Sequence, residues 1–135
     1  KPEVIIDIAT LTGACMVALG KHKAGLMGND DDLIESLKLA SAKSGEPVWE
    51  LPCGSEYGDE LKSKIADLKN TGKKYGGSSS AGAFLGKFAG EETRWAHVDM
   101  AGKMDASEPM QKYLAGGSVG FGVRLFVSFI ESFKK

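Results

Sequence analysis

The segment Ile6-Asp7-Ile8-Ala9-Thr10-Leu11-Thr12-Gly13-Ala14 constrains the fold more than any other, because an apolar run passes within a few residues into a small, hydroxyl-rich exit containing glycine. Val4 to Ile8, broken only by Asp7, suits a parallel strand buried on both faces in the interior of a sheet. Gly13 to Leu19 then reads as a short apolar helix stopped by Gly20. In open α/β sheets a ligand lies against the carboxyl ends of the strands, and a glycine opening the next helix lets it approach the backbone closely. The segment predicts a strand-to-helix turn and, at that turn, a place for a ligand.

The rest of the chain alternates in the same way. Asn29 to Asp32 supply a cap and negative charge for a helix whose Leu33, Leu37 and Ala40 recur at helical spacing, and Gly45 and Pro47 end it. Leu61, Ile65 and Leu68 predict a second amphipathic helix with Asp67 on its wet side, and Lys69 to Ser80 reads as a loop. Ala81, Phe84, Leu85 and Phe88 form a further helical face. Trp95 to Met100 alternates as a strand, with Trp95, His97 and Asp99 on one side. The last helix is expected to turn Val123, Phe126, Val127, Ile130 and Phe133 inward. Helices interleaved with strands imply an α/β fold with a mixed, mainly parallel sheet flanked by helices.

Lys and Arg number 17 against 18 acidic residues, and the lysines are scattered, which argues against nucleic acid or a membrane as the main partner. No stretch approaches the roughly 20 apolar residues that span a bilayer. The start carries neither the charged nor the apolar region of a signal peptide. Cys15 and Cys53 form no C-x-x-C pair and read as reduced, structural thiols, which fits a cytoplasmic setting.

Catalytic signatures readable from spacing alone are weak. His97 and Asp99 share a strand face, a spacing that suits orientation of an imidazole for general-base work. Yet Gly76 to Gly82 misses the G-x-S-x-G nucleophile elbow, and His22 sits among lysines as a surface residue. Gly82 to Lys87 is one residue short of a phosphate-binding P-loop, and Gly116 to Gly122 lacks dinucleotide-binding spacing.

A set of ordered words carries more information. I-D-I-A-T-L-T-G-A at Ile6 is followed by A-L-G at Ala18, G-E-P-V-W-E-L-P at Gly45 and A-D-L-K-N-T-G at Ala66. A-G-A-F-L at Ala81, W-A-H-V-D-M-A-G at Trp95 and G-F-G-V-R at Gly120 complete it. In that order they resemble the C-terminal catalytic region of the leucyl (cytosol) aminopeptidase family, across nearly the whole of residues 1–135. Two stretches depart from the family's commoner words: Gly77 to Gly82 is richer in glycine and serine than the usual alanine-dominated version, and G-S-V-G-F-G at Gly117 to Gly122 replaces a commoner G-A-T-G-F-G.

The resemblance implies an exopeptidase that releases N-terminal residues from peptides with two divalent metal ions, zinc or manganese, and that assembles as a homo-hexamer. Its metal ligands and the N-T-D-A-E-G-R motif lie upstream of the matched segment, so Asp7, Asp67 and Asp99 read as structural or polar-network residues, with Asp99 nearest the site. What the family places on this segment is substrate recognition. By motif match, Leu11 resembles the residue whose carbonyl accepts a hydrogen bond from the bound peptide, and Gly13 the one whose amide and missing side chain admit it. Thr10, Gly13, Ala101 and Met104 resemble the wall of the pocket for the N-terminal side chain. Small residues leave volume there and a thioether adapts to aliphatic shapes. The expectation is a segment of a catalytic domain that supplies a substrate pocket and is inactive alone. The alternative is a non-catalytic binding or assembly subunit built on the same fold, and a nucleotide-binding module is disfavoured by the glycine spacing.

Overall fold

A computed structural model describes residues 2–90, 92–106 and 117–133. In chain order the elements are β1 (Val4–Ala9), α1 (Gly13–Leu19), β2 (Ala24–Gly28), α2 (Asp31–Ser44), β3 (Val48–Glu50), α3 (Ser55–Asp59), α4 (Gly77–Ala89) and β4 (Arg94–Asp99). A 3-10 turn (Ala101–Lys103), the short strands β5 (Asp105–Ala106) and β6 (Gly117–Ser118), and α5 (Val123–Ser132) complete them. The main sheet runs β1-β4-β2-β3. β1 and β4 are parallel, as are β2 and β3, while β2 and β4 are antiparallel. This is the mixed, mainly parallel sheet expected of the sequence.

The period of two along β4 sorts the sheet into two chemically different faces. Ala96 and Val98 join Ala24 and Leu26 in an apolar core closed by Leu33, Leu37 and Ala40 of α2 and by Phe121, Leu125 and Phe129 at and within α5. The opposite face carries Trp95, His97 and Asp99. There α1 and α4 approach the sheet closely: a Cβ at Gly86 of α4 would lie 3.2 Å from the Trp95 ring, and one at Gly25 of β2 would lie 3.1 Å from Cys15 Sγ of α1.

Helix α2 begins as its sequence predicts. Asp30 is the N-cap and accepts the Leu33 amide at 2.7 Å, Asp31 and Asp32 sit in the first turn, and Gly45 ends the helix in the left-handed region at φ 70°. Helix α5 has no capping side chain of its own. Two amides at its start are taken by Glu46, which is fully buried: Oε2 accepts from Gly122 N at 3.0 Å and from Leu125 N at 2.8 Å. That distant cap fixes the rotation of the helix. Leu125, Ser128 and Phe129 turn inward, Phe126 and Phe133 pack at the margin of the core, and Val123, Val127 and Ile130 stay 64%, 53% and 69% exposed. The expected inward face was therefore partly wrong. The helix is apolar on more than one side, so periodicity alone allowed two stripes.

Three further expectations are corrected. The stretch from Leu61 to Leu68 is not a helix. Ser63 Oγ accepts the amides of Ile65 and Ala66, and Lys69 N donates to the Leu61 carbonyl at 2.8 Å, closing a loop that leaves Ile65 98% exposed. A serine that bonds its own neighbours' amides competes with helical hydrogen bonds. Helix α4 starts at Gly77 rather than Ala81, because Ser78, Ser79 and Ser80 lie buried on its packed side, where Ser78 and Ser80 find hydroxyl and carboxylate partners. Finally, β1 is expected in the sheet interior, yet among the described residues it pairs with β4 alone and stands at the edge, half-buried throughout. The central strand β2, A-G-L-M-G, and β3 went unpredicted: β2 has two glycines and no β-branched residue, and the burial of its first four residues overrides that weak preference.

Candidate functional site

Strands β1 and β4 run parallel with Ala9 opposite Asp99, so both chains leave the sheet at the same carboxyl edge. Met100 N donates to the Ala9 carbonyl at 2.8 Å, continuing the pairing one residue beyond the strands. Thr10 and Ala101 are thereby brought to one edge.

Asp99 is completely buried at that edge. Its Oδ1 accepts from Leu11 N at 3.1 Å, Thr12 N at 3.4 Å and Ala101 N at 3.3 Å. Its Oδ2 accepts from Thr12 Oγ1 at 2.7 Å. Thr12 is also the N-cap of α1, accepting from Cys15 N at 3.0 Å, and its hydroxyl lies 3.0 Å from Ser78 Oγ in the first turn of α4. One polar network thus ties the exit of β1, the start of α1, the end of β4 and the start of α4. Thr12 and Ser78 were not singled out in the sequence reading. The hydroxyl one residue before the Gly13 helix start was the available signal for a cap, while Ser78 gave none.

Thr10 and Gly13 are exposed at this edge, Leu11 is half-buried and Ala101 is buried. A Cβ built on Gly13 would meet no atom within 4 Å, so its missing side chain leaves open space rather than serving the packing of this chain. Met104 is placed differently. The 3-10 turn before it presses against the C-terminal end of α1, where a Cβ on Gly102 would lie 2.1 Å from the Gly20 carbonyl oxygen, a contact only glycine permits. The next residue, Asp105, forms an ion pair with Lys21 at 3.6 Å. Met104 is 45% exposed beside that end, whereas Thr12 and Gly13 stand at the other end of α1, about 10 Å of helix away. The structure brings Thr10, Leu11, Gly13 and Ala101 to one edge, and Met104 follows at the end of the 3-10 turn that Ala101 opens.

His97 does not pair with Asp99. It is fully buried, and its Nδ1 bonds Asp7, which also accepts from Trp95 Nε1 at 2.7 Å. The strand register explains this, since Asp7 lies directly opposite His97 on the same face. Partial burial of the Asp7 carboxyl favours its neutral form, but the His97 and Trp95 bonds outweigh that and hold it below the usual carboxylate range. Nε2 of His97 has no hydrogen-bond partner among the described residues, so no serine or cysteine is bonded to it as a nucleophile. The cluster is a partly buried structural clasp between β1 and β4.

Both cysteines are free thiols. Burial pushes the Cys15 thiol up, helped by the Asp99 carboxylate, and burial raises Cys53 to about 11, with Glu56 adding to it. Neither has the character of a thiolate nucleophile. Among the described residues no three His, Cys, Asp or Glu side chains converge as a metal site, and Asp67 is exposed. No helix among them is long and apolar enough to cross a membrane.

Comparison with known proteins gives these edges a context. The catalytic domain of the cytosol aminopeptidase family matches residues 1–127. A probable cytosol aminopeptidase of Geotalea uraniireducens is 53% identical over 134 residues, covering 99% of this chain and 27% of that protein. One from Brucella melitensis is 51% identical, covering 93% of this chain and 25% of its own length. Among solved structures, a mutant tomato leucine aminopeptidase superposes with a TM-score of 0.87 at 39% identity, over 95% of this chain and 24% of that one. The bottromycin maturation enzyme BotP gives 0.90 at 31% identity, over 96% of this chain and 29% of its own. The chain spans about a quarter of the length of the relatives it matches.

Proposed function

Since the chain belongs to the cytosol aminopeptidase family and falls in its catalytic domain, we propose that it forms the C-terminal part of that domain in an enzyme that releases N-terminal residues from peptides. Its own task in that enzyme is to bind and orient the peptide. The observation that carries this reading is the carboxyl edge where β1 and β4 end together, with Thr10, Leu11, Gly13 and Ala101 gathered around Asp99. A parallel pair ending at one edge is where α/β enzymes receive ligands.

The residues support distinct roles. The Leu11 carbonyl accepts an N–H of the peptide. Gly13 offers its own amide and, lacking a side chain, the open space beside it. Thr10 and Ala101 form the wall against which the N-terminal side chain packs, and their small size leaves volume for an aliphatic group. Met104, half-exposed at the end of the turn that Ala101 opens, adds a flexible thioether that adapts to an aliphatic side chain.

The family implies metal-dependent hydrolysis, by our reading with two zinc or manganese ions that activate water and stabilise the developing oxyanion. The described residues of this chain do not fit such a site. No step through the ions is assigned to them, and the ligands are expected on the remainder of the catalytic domain. Peptide substrates, a hexameric assembly and a cytoplasmic location belong to the same proposal.

The test is an assay of the complete protein on L-leucyl peptides beside the same peptides N-acetylated, with its mass measured in solution. Release of free leucine from the first set alone is the expected result. Equal cleavage of blocked peptides, or none of either, would end the reading.

A further inference from the structure

We propose that Asp99 is the positioning residue of the peptide site, a single carboxylate that holds both walls of the pocket in register; this deepens the reading above and rests on it. The distinctive observation is where its hydrogen bonds go. Oδ1 takes the amides of Leu11 and Thr12 on the β1 side and the amide of Ala101 on the β4 side. Oδ2 takes the Thr12 hydroxyl. Every partner is a donor, and two of them, the amides of Leu11 and Ala101, belong to pocket positions themselves.

The bond to Thr12 N has a geometric consequence. The Thr12 N–H and the Leu11 C=O belong to one planar trans peptide group and point in opposite directions. A carboxylate that captures that N–H from within the fold therefore turns the Leu11 carbonyl away from itself, toward the outside of the edge. That is the carbonyl assigned to the peptide. The Thr12 hydroxyl, held between Asp99, Cys15 N and Ser78, fixes the first turn of α1 and with it the Gly13 amide. The same oxygen that aims Leu11 also anchors Ala101, so one residue ties the two walls together beyond the last backbone pairing. Buried charge-assisted hydrogen bonds of this kind are strong and directional, and they cost no reorganisation when a ligand arrives.

Complete enzyme carrying Asp99→Ala, Asp99→Asn, Thr12→Val or Thr12→Ser is assayed on L-leucyl-p-nitroanilide, with metal content and backbone amide exchange of residues 10–13 and 101 measured in parallel. Asp99→Ala is expected to raise KM about tenfold or more, with a smaller change in kcat, metal content unchanged and exchange accelerated at these amides. Asp99→Asn keeps one acceptor oxygen for the three amides and should recover most of the loss. If Asp99→Ala does not fold, the threonine pair decides: Thr12→Val should raise KM, and Thr12→Ser, which retains the hydroxyl, should restore it. A KM within about twofold of wild type in folded, metal-loaded Asp99→Ala, or in Thr12→Val, overturns the proposal. So does a loss confined to kcat and accompanied by metal loss. A wild-type enzyme that cleaves no aminoacyl substrate instead fails the peptidase reading itself, and the clamp for peptide falls with it.

Discussion

Glu46, buried on the turn after α2, caps a helix far along the chain: its Oε2 accepts the amide of Leu125, 79 residues away, at 2.8 Å. The same carboxylate takes Gly122 N, and its Oε1 receives Arg124 Nε and Nη2 at 3.4 Å each. Glu46→Ala leaves two buried amides without their acceptor, and the complete protein is expected to lose about 2–4 kcal/mol in urea unfolding. A loss below about 0.5 kcal/mol, the size of an ordinary surface change, would mean that water replaces the cap.

Gly13 separates packing from recognition. A methyl group there meets nothing in this chain, so Gly13→Ala should leave the unfolding midpoint unchanged or slightly raised by its better helix propensity. In the complete enzyme the same methyl occupies the space assigned to the peptide, and KM for leucyl substrates should rise about tenfold. Unaltered kinetics would show that the open space beside Gly13 is not used by substrate.

Asp7 gives the fold a pH dependence whose sign follows from its depressed carboxyl. A carboxylate held lower in the folded state than in the unfolded chain contributes stability that is present above the unfolded value, and this is lost as pH falls through the folded one. Wild-type stability should therefore drop as the solution is acidified from about pH 4 downward. Asp7→Asn should start less stable near neutrality and lose less over that acid range. Parallel stability curves for the two proteins would show that the His97 and Trp95 bonds do not discriminate between charged and neutral Asp7.

The raised thiols of Cys15 and Cys53 predict slow alkylation. At neutral pH iodoacetamide should modify neither residue appreciably in the native protein and both in denaturant, read by intact mass. Rapid native labelling of Cys53 would show that it is more open and more acidic than its surroundings imply.

Much of the fold was legible where a local signal coincided with burial. Asp30, Asp31, Asp32 and Gly45 bracket α2 with the residues that satisfy its own ends, and the alternation of Trp95 to Asp99 marks β4 because its two faces meet different surroundings. The strand exit at Thr10 to Gly13 was legible as a turn from β1 into α1, because a hydroxyl and a glycine there suit a helix start rather than a core. Ser63 misled the reading of Leu61 to Leu68, since a side chain that takes its neighbours' amides leaves no trace in apolar periodicity.

The sequence by itself determined the strand, helix and turn chemistry, the ordered motifs that carry family membership, and the small residues at the exit of β1, because each depends on groups within a few positions of one another. The tertiary structure decided what depends on partners far along the chain. It chose Asp7 rather than Asp99 for His97, through the register of β1 on β4. It chose which apolar stripe of α5 faces inward, through Glu46. It made Asp99 the common acceptor for the amides of Leu11 and Ala101, by ending two parallel strands, distant in sequence, at one edge. A hydrogen-bond acceptor has the same chemistry at every position in a sequence, and only folding selects which donors reach it.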